Sequence, residues 1–549
     1  MKQQVIKVHP GDNLVVALRD FAEGETVELD GQEMELREGV PQKHKFNEAD
    51  LQAGDPVLMY GVVVGKTTRF IPKGSRISRD NVVHKANPYR IGERHTDWSA
   101  PDTSRFQART FMGYHRADAQ VGTRNYWLVI PLVFCENRNV GLMKQLMLDE
   151  LGYRQKTGYA LNVRKLVREY RSGAALTAIL ETDILEPDAE DPDERLFPGV
   201  DGIKFLEHTG GCGGIRQDSE ALCQLLAGYI THPNVAGATV LSLGCQNAQI
   251  PILEAAIAQR DPGFSKPLFV LEQQTSRSER QFIADAVKQT FVGLIQANAC
   301  VRQPAGLDKL SLGLECGGSD GFSGISANPV LGYASDLLVA LGGKAILSEF
   351  PELNGAEQEL INRCVHTADA EKFVTLMETY AQRAVASGSG FDMNPSPGNI
   401  KDGLITDAMK SAGAAKKGGS SPVTAVLDYT EPALRSGLNL LCTPGNDVES
   451  TTGLAGSWAN LIVFTTGLGT PTGNPVAPVV KVSSNTALAT RMADIIDFDA
   501  GTVISGEATI AARGEALLEL LIEVAEGKQV RAELLHQDDF IPWKRGISL

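Results

Sequence analysis

The stretch LSLGLECGGSDGFSG (310–324) joins a strand-like apolar run at 310–314 to a glycine-rich polar turn. The same succession recurs along the chain: apolar runs at 202–206, 238–243, 438–441 and 461–465 lead into HTGGCGG (208–214), LGCQN (243–247), TPGND (443–447) and TTGLGTPTG (465–473). Helix-like stretches at 140–151 and 219–229 lie between such runs. Strands that alternate with helices form largely parallel sheets. The sequence therefore predicts two α/β domains, at 108–305 and 306–549.

The glycine-rich turns at these strand ends are candidates for one binding site. Ligands of open α/β sheets bind outside the carboxyl ends of the strands. Glycine lets the backbone approach a ligand closely, and free N–H groups at a helix start attract anions. A tight turn explains any single loop, but five loops that carry Cys, Asn, Asp, Ser and Thr favour a functional site. None matches GxGxxG or GxxxxGK[ST], so a nucleotide-dependent oxidoreductase is the weaker alternative.

The first 90 residues differ from the rest of the chain. Short apolar runs at 5–8, 15–18, 56–60 and 62–64 are separated by turn signals such as Pro10-Gly11 and Gly54-Asp55. This spacing is typical of a small all-β domain, which we place at 1–90. The polar stretch 85–107 holds two prolines, and we place a linker at 91–107. A non-enzymatic carbohydrate-binding protein would use the β domain alone and would not need the long α/β body.

Composition limits the class of protein. The net charge is −15, with 52 Lys and Arg against 67 Asp and Glu, which argues against nucleic-acid or anionic-membrane partners. No apolar run reaches the roughly 20 residues of a membrane span, and the first residues lack a signal-peptide core. We therefore expect a cytoplasmic protein. Thiols stay reduced there, so the eight cysteines are expected to be free or metal-bound.

Four cysteines lie beside glycine or just after a predicted strand: Cys135, Cys212, Cys245 and Cys316. Thiolates bind soft or borderline metals and iron–sulfur clusters. Each alone is as well explained as a small buried residue, but loops on one sheet edge can bring several together, so we expect at least two to meet at a site. Among the histidines, His9 and His44 lie near turns of the β domain and are candidates for acid/base or ligand roles.

Several motifs together resemble the altronate/galactarate dehydratase family. They are LECGGSDGFSGISANP (314–329), NPSPGN (394–399) and the TPGND and TTGLGTP loops. KVHPGDNLVVAL (7–18) and HKFN (44–47) resemble the SAF-type domain with which that family begins, and GTRN (122–125) and LGCQN (243–247) also fit. The resemblance covers essentially the whole chain. It implies an active site where the SAF-like domain meets the α/β body.

The resemblance implies a hydro-lyase that removes water from the C2–C3 diol of an aldonate or aldarate, such as altronate or galactarate, and gives a 2-keto-3-deoxy acid. It implies iron as Fe²⁺, with Mn²⁺ as an alternative metal and an iron–sulfur cluster left open. A relative acts as a sulfolactate sulfo-lyase, so another 2-hydroxy acid such as sulfolactate is the alternative substrate. The expected partner is a small-molecule sugar acid. A homodimer is one expected assembly, and the sequence leaves the oligomeric state open.

The chemistry suggests a role for each candidate residue. Removing a weakly acidic C2 proton and a poor leaving group requires a base, an acid and stabilisation of negative charge. His44 or His9 is assigned to acid/base chemistry, and one of them is an alternative metal ligand. The proposed metal ligands are Cys212, Cys245 and Cys316. The proposed substrate-binding residues are Arg124, Asn125, Glu315, Ser319, Asp320, Asn399, Asn446, Asp447 and Thr470.

One segment departs from the sugar-acid branch of the family. Residues 401–417 read KDGLITDAMKSAGAAKK, where the better-known altronate enzymes resemble GGxTTxEEKSLG. Asp407, Ala408 and Met409 therefore replace an acidic stretch. If this segment contacts the substrate, a different substrate is expected.

Overall fold

The computed structural model describes residues 4–92, 94–153, 160–186 and 195–547. Described residues 4–83 contain nine short strands paired only in antiparallel fashion: β1 (Val5–Ile6), β2 (Leu14–Ala17), β3 (Thr26–Leu29), β4 (Gln32–Glu35), β5 (Lys45–Asn47), β6 (Pro56–Met59), β7 (Val62–Thr67), β8 (Arg76–Ile77) and β9 (Val82–Val83). They form three small sheets, ordered β1-β2-β5-β8, β3-β4 and β6-β7-β9.

Two hairpins of this domain are set by their turn residues. Asp30 and Gly31 join β3 to β4, and Tyr60 and Gly61 join β6 to β7; all four residues have positive φ. Two-residue loops with two positive φ angles match the twist of paired antiparallel strands, and Asp-Gly is a preferred pair for them. The short apolar runs of the sequence therefore fold into small antiparallel sheets rather than into helices.

A four-stranded parallel sheet forms the second unit, in the order β15-β12-β16-β17. The strands of this part are β10 (Thr110–His115), β11 (Val121–Gly122), β12 (Tyr126–Pro131), β13 (Ala160–Leu161), β14 (Leu185–Glu186), β15 (Gly202–Phe205), β16 (Val235–Ser242), β17 (Leu268–Glu272) and β18 (Gln303–Gly306). Its helices are α1 (Asn137–Glu150), α2 (Val163–Arg171), α3 (Leu176–Leu180), α4 (Arg216–Thr231), α5 (Ile250–Arg260) and α6 (Glu279–Asn298).

A seven-stranded parallel sheet forms the third unit, in the order β21-β22-β20-β19-β23-β24-β25. Its strands are β19 (Ser311–Cys316), β20 (Lys344–Leu347), β21 (Val423–Leu427), β22 (Gly437–Leu441), β23 (Leu461–Thr466), β24 (Val479–Ser483) and β25 (Phe498–Asp499). Its helices are α7 (Ala327–Ala340), α8 (Glu357–Arg363), α9 (Thr367–Ala386), α10 (Pro397–Lys401), α11 (Asp407–Ala415), α12 (Asp447–Gly456), α13 (Thr486–Arg491), α14 (Ile510–Ala525) and α15 (Arg531–Leu534).

The predicted fold class, a small N-terminal all-β domain followed by two α/β domains with largely parallel sheets, is confirmed. Apolar side chains line both faces of each large sheet, because helices pack against both faces. The predicted domain boundaries stay predictions, and their outermost residues, 1–3 and 548–549, lie outside the described residues. No helix in the described part of the chain is long and apolar enough to cross a lipid bilayer.

The N-terminal domain shares a hydrophobic cluster with the third unit. Val16, Val57 and Val64 of the β domain pack in one cluster with Phe322 and Met409 of the α/β body. The Thr406 hydroxyl also donates to the Val64 carbonyl oxygen over 2.7 Å. The first 90 residues are therefore docked on the body through a continuous apolar core.

The two α/β units meet where α4 crosses α12. A Cβ atom added to Gly228 of α4 would lie 2.2 Å from the Gly456 carbonyl oxygen of α12. The Tyr229 hydroxyl donates to the Thr452 carbonyl oxygen, and the Trp458 indole N–H donates to the Thr231 hydroxyl. The absence of a side chain at Gly228 is what lets the two helix backbones come this close.

We expect Gly228→Ala to lower the free energy of unfolding by about 1–3 kcal/mol, because the methyl group meets backbone rather than a movable side chain. Denaturant unfolding followed by circular dichroism measures the change. Gly263→Ala is the matched control, since a Cβ there would meet nothing closer than 3.7 Å. Equal midpoints for both variants would show that the helices separate without cost.

Candidate active site

The candidate site lies at the carboxyl end of β19, where the strand order of the large sheet changes direction. β20 pairs with one side of β19 and β23 with the other. The connections leave this point toward opposite edges of the sheet, and open α/β sheets bind ligands at such a point. Glu315 and Cys316 are the last two residues of β19 and are fully buried there.

Five side chains with metal-ligating atoms meet at this strand end. We call Glu315, Cys316, Glu349, Glu352 and Asp447 the acidic centre. One ligand atom each from Cys316, Glu349 and Glu352 lie within 4.8 Å of one another, and so do those of Glu315, Glu349 and Asp447. Glu349 belongs to both groups and therefore lies at the middle of the centre.

The backbone at Glu349 is unusual. This residue follows β20 and has φ +64°, the left-handed region that few residues other than glycine adopt. Its Oε2 accepts a 3.1 Å bond from the Cys316 amide, and its own amide donates to the Thr443 hydroxyl over 2.8 Å. These contacts from two neighbouring strand ends hold the residue in that conformation and aim its carboxylate at β19.

Two buried lysines balance the negative charge. Lys417 Nζ lies 2.6 Å from Glu349 Oε2 and 2.8 Å from Cys316 Sγ. Lys410 Nζ lies 2.6 Å from Glu352 Oε1 and 2.8 Å from Asn394 Oδ1. Buried charges are tolerated when they are paired and hydrogen-bonded, and both lysines meet that condition.

The acidic centre nevertheless retains unused acceptors. Glu315 Oε1 and Glu349 Oε1 are buried and have no hydrogen-bond partner, whereas Glu315 Oε2 accepts from Ser348 over 2.8 Å and from Ser450 over 2.6 Å. An orphaned buried acceptor is costly. Carboxylate oxygens are ligands for hard and borderline divalent cations, and Cys316 adds a softer donor. The residues present therefore fit a divalent metal ion.

The acid–base properties of the centre follow from burial. Burial, reinforced by the negative charges of Glu349 and Glu352, raises the pKa of Asp447 to about 7. Burial and Glu349 also raise the pKa of Glu315 well above its usual range. For Glu352, burial works in the same direction, but the ion pair with Lys410 outweighs it and lowers the pKa. A bound cation would replace protons on the raised carboxyls.

The loop after β19 runs from the acidic centre to the β domain. A Cβ at Gly317 would lie 2.3 Å from Asp447 Oδ2, so only glycine lets this loop pass the acidic centre. Three residues on, Asp320 Oδ2 forms a 2.9 Å ion pair with Lys43 of the β domain. The Ser319 hydroxyl between them is buried without a hydrogen-bond partner.

The β-domain loop beside Asp320 also contains His44 and Lys45. His44 Nε2 lies 3.0 Å from the Lys401 carbonyl oxygen, and Lys45 Nζ donates to the Gly403 carbonyl oxygen over 2.6 Å. Burial lowers the pKa of His44 below its ordinary value and lowers that of Lys45 to about 7. Residues 43–45 therefore bring two weakly basic nitrogens to the junction between the β domain and the body.

Several predicted substrate-binding residues surround this junction. Asn399 Nδ2 donates to the Ser319 carbonyl oxygen over 2.7 Å, and Asn446 caps α12 by accepting from Val448 and Glu449. Thr470 is buried, and its hydroxyl bonds that of Thr472 over 2.9 Å. Its loop contacts the site through Gly467, whose amide donates to the Gly318 carbonyl oxygen. The structure therefore brings together Glu315, Cys316, Ser319, Asp320, Asn399, Asn446 and Asp447, with Thr470 on a neighbouring loop.

Arg124 and Asn125 lie elsewhere. The Arg124 guanidinium binds both carboxylate oxygens of Glu533 over 2.7 and 2.8 Å and donates to three backbone carbonyl oxygens. Asn125 is buried and donates to the Gly199 and Ala297 carbonyl oxygens. Their donors are used in joining α15 and the second unit, so the structure gives neither a free group for a substrate carboxylate.

The remaining predicted residues lie on other elements. Cys212 and Cys245 are exposed on loops that follow β15 and β16 of the smaller parallel sheet, and among the described residues Cys316 is grouped with Glu349 and Glu352 and not with these two thiols. His9 is exposed in the β domain, where its Nδ1 accepts a 3.0 Å bond from the Gly11 amide. Of the two histidine candidates, His44 is the one with a contact to the α/β body.

Comparison with known proteins agrees with this architecture. The model for the altronate/galactarate dehydratase SAF domain matches residues 3–85, that for the second domain of D-galactarate dehydratase/altronate hydrolase matches 113–298, and that for the C-terminal domain matches 307–548. An Escherichia coli protein named altronate dehydratase is 34% identical over 100% of both chains. The chain belongs to the altronate/galactarate dehydratase family. The acidic centre and the whole of α11 lie within the matched C-terminal domain.

Three further curated proteins are also similar. A Bacillus subtilis altronate dehydratase is 32% identical over 99% of both chains. An Escherichia coli galactarate dehydratase (L-threo-forming) is 31% identical over 95% of this chain and 93% of its own. A (2R)-sulfolactate sulfo-lyase subunit beta from Chromohalobacter salexigens is 27% identical over 79% of this chain and 97% of its own.

Four residues of the site were missed by sequence reasoning: Glu349, Glu352, Lys410 and Lys417. Glu349 could have been predicted, because it comes two residues after the predicted strand at 344–347 and therefore lies at the same sheet edge as Cys316. Its loop lacks the glycines that drew attention to the others. The lysines lie in the segment that was marked as a departure from the family, but nothing in its spacing pointed to a buried acidic partner.

We expect divalent metal to stabilise the wild-type protein by about 2.7 kcal/mol when its concentration is 100 times the dissociation constant, and Glu349→Gln to lose most of that gain. The amide keeps the shape of Glu349 but removes the central charge. Thermal unfolding with and without Mn²⁺ measures the shift. Glu254→Gln, at an exposed position of α5, is the control and should behave as wild type. An unchanged Mn²⁺ shift in Glu349→Gln would remove Glu349 from the metal site.

Proposed function

We propose that this protein is a metal-dependent dehydratase of sugar acids. The observation that carries the proposal is the full-length similarity to proteins named altronate dehydratase and galactarate dehydratase, over all three domains. The buried acidic centre with orphaned carboxylate oxygens supports it, because such a centre suits a cation that faces a negatively charged substrate. The product would be a 2-keto-3-deoxy acid.

We further propose that the metal is iron as Fe²⁺, replaceable by Mn²⁺, held by Glu315, Glu349, Asp447 and Cys316. When bound, such an ion stabilises negative charge that develops on the substrate. Lys410 lowers the pKa of Glu352, and Lys417 opposes the effect of burial, which raises the pKa of Glu349. The homodimer and the cytoplasmic location expected from the sequence stay predictions.

His44 is the proposed base. Its Nε2 faces a carbonyl oxygen, which can only accept, so the ring proton belongs on Nε2 and the lone pair on Nδ1. Burial lowers the pKa of His44, so the ring is neutral near pH 7 and ready to take a proton from C2 of the substrate. The Ser319 hydroxyl, buried and without a partner, is the proposed donor to a substrate hydroxyl.

The activity is tested with a panel of substrates assayed anaerobically with Fe²⁺ or Mn²⁺: altronate, galactarate and (2R)-sulfolactate. We expect a 2-keto-3-deoxy acid from one of the sugar acids, and chelation of the metal should abolish its formation. Release of sulfite from sulfolactate, with no product from either sugar acid, would instead assign the activity of the sulfo-lyase relative. Product formed equally well in the presence of a strong chelator would contradict metal dependence.

We expect His44→Gln to lower kcat about 10²- to 10⁴-fold, the usual contribution of a general base, while the Mn²⁺-induced stabilisation stays unchanged. In the wild type, kcat/KM should fall as the pH decreases through a pKa below 6.5, because protonation of His44 removes its lone pair. That acidic limb should vanish in the variant. His366→Gln, at an exposed position before α9, is the control. A His44→Gln enzyme with wild-type kcat would exclude this base.

A further inference from the structure

Three cysteines follow three adjacent strands of the smaller parallel sheet. Cys135 comes after β12, Cys212 after β15 and Cys245 after β16, and the strand order is β15-β12-β16. The carboxyl ends of parallel strands lie at one edge of the sheet, so all three residues are on the same side. All three are exposed, whereas Cys223, Cys316, Cys364 and Cys442 are buried. We call Cys135, Cys212 and Cys245 the thiol triad.

The loops that carry the triad are in direct contact. The Phe134 amide, next to Cys135, donates to the Gly210 carbonyl oxygen over 3.0 Å. The Asn247 amide, two residues after Cys245, donates to the Gly211 carbonyl oxygen over 2.9 Å. Because Gly210 and Gly211 immediately precede Cys212, the loop at 208–214 lies between the other two and joins them.

Glycine fixes the position of two of these loops. Gly211 has φ +95°, and a Cβ there would lie 2.4 Å from the Leu132 carbonyl oxygen. Gly244 has φ +125°, and a Cβ there would lie 2.7 Å from Gln274 Oε1. Both glycines directly precede a triad cysteine, so close backbone packing sets where each thiol emerges.

One sulfur of the triad already accepts a hydrogen bond. The Gln274 side-chain amide lies 3.2 Å from Cys245 Sγ and can only donate to it. Amide donors to sulfur are among the interactions that tune thiolate ligands of metal centres. A structural cysteine that merely fills space would be buried in apolar surroundings instead.

We propose that Cys135, Cys212 and Cys245 together bind an iron–sulfur cluster at the carboxyl edge of the four-stranded sheet. In the part of the chain that the structure describes, the side chains close enough to share one ion belong to the acidic centre. In a cluster each cysteine binds a different iron, so the three thiols need not share a single ion. Each thiol releases its proton to solvent and forms one S–Fe bond, and the iron and sulfide are supplied from outside the protein.

This site is separate from the acidic centre, because Cys316 belongs to the other parallel sheet. It goes beyond the proposed dehydratase activity and does not depend on it. The two can fail independently: a variant of the acidic centre should lose cation binding and keep the cluster, and a triad variant should do the reverse.

The test is anaerobic reconstitution of the full-length protein with ferrous and ferric iron and sulfide, followed by desalting and measurement of iron, acid-labile sulfide and the visible absorption spectrum. We expect wild type to retain iron and sulfide in equal amounts, with the broad visible absorption typical of thiolate-bound clusters. Cys135→Ser, Cys212→Ser and Cys245→Ser should each lose the sulfide and the absorption. Cys300→Ser, a half-buried cysteine outside the triad, is the matched control and should retain both.

Absence of acid-labile sulfide from the reconstituted wild type would overturn the proposal, and this measurement needs no variant to fold. Full sulfide retention in the triple Cys→Ser variant would overturn it as well. Zinc bound by the triad in competition with iron and sulfide would assign a single-ion site instead. Glu349→Gln should keep wild-type sulfide content, which distinguishes the cluster from metal held by the acidic centre.

Discussion

The burial of negative charge beside β19 is the constraint on which the rest of the site depends. Glu315, Glu349 and Glu352 lie almost completely out of water, together with the thiol of Cys316. Removing one partner of a buried ion pair typically costs about 3–5 kcal/mol. Lys410 and Lys417 are therefore needed at this point to pair with the buried carboxylates, and the segment 401–418 places them there. α11 carries Lys410, and the 3₁₀ turn that follows it carries Lys417.

The same segment ties the β domain to the chemistry. On one face of α11, Lys410 pairs with Glu352. On another face, Ala408 and Met409 pack in the hydrophobic cluster shared with the β domain. His84 of the β domain forms an ion pair with Asp407 at the first turn of α11. This helix lies in the segment 401–417, for which a difference from the better-known altronate enzymes is expected. It contacts both the acidic centre and the β domain.

Much of this arrangement could be predicted from the sequence. Alternating apolar runs and glycine turns predicted the α/β body, and residues of the glycine-rich stretches at predicted strand ends, such as Glu315, Cys316 and Asp447, do meet at the sheet edge. Strand order was out of reach, because spacing along the chain does not say which sheet a strand joins. Cys212 was therefore grouped with Cys316 although a different sheet carries it. Arg124 was predicted to bind a substrate because its true partner, Glu533, lies some 400 residues away in the sequence and could not be recognised from the local motif.

The segment between the β domain and the body is hydrogen-bonded to the body. The Arg90 amide donates to Gln358, the His95 amide donates to the Asn362 carbonyl oxygen over 2.7 Å, and the Trp98 indole N–H donates to Ser420. A flexible tether gives an attached domain an effective concentration in the millimolar range, and a tether of matched, ordered path gives more. Because the β domain and its docking surface belong to one chain, the high effective concentration of the domain keeps it bound there. The hydrogen-bonded segment therefore limits how far the β domain can move from its docking surface.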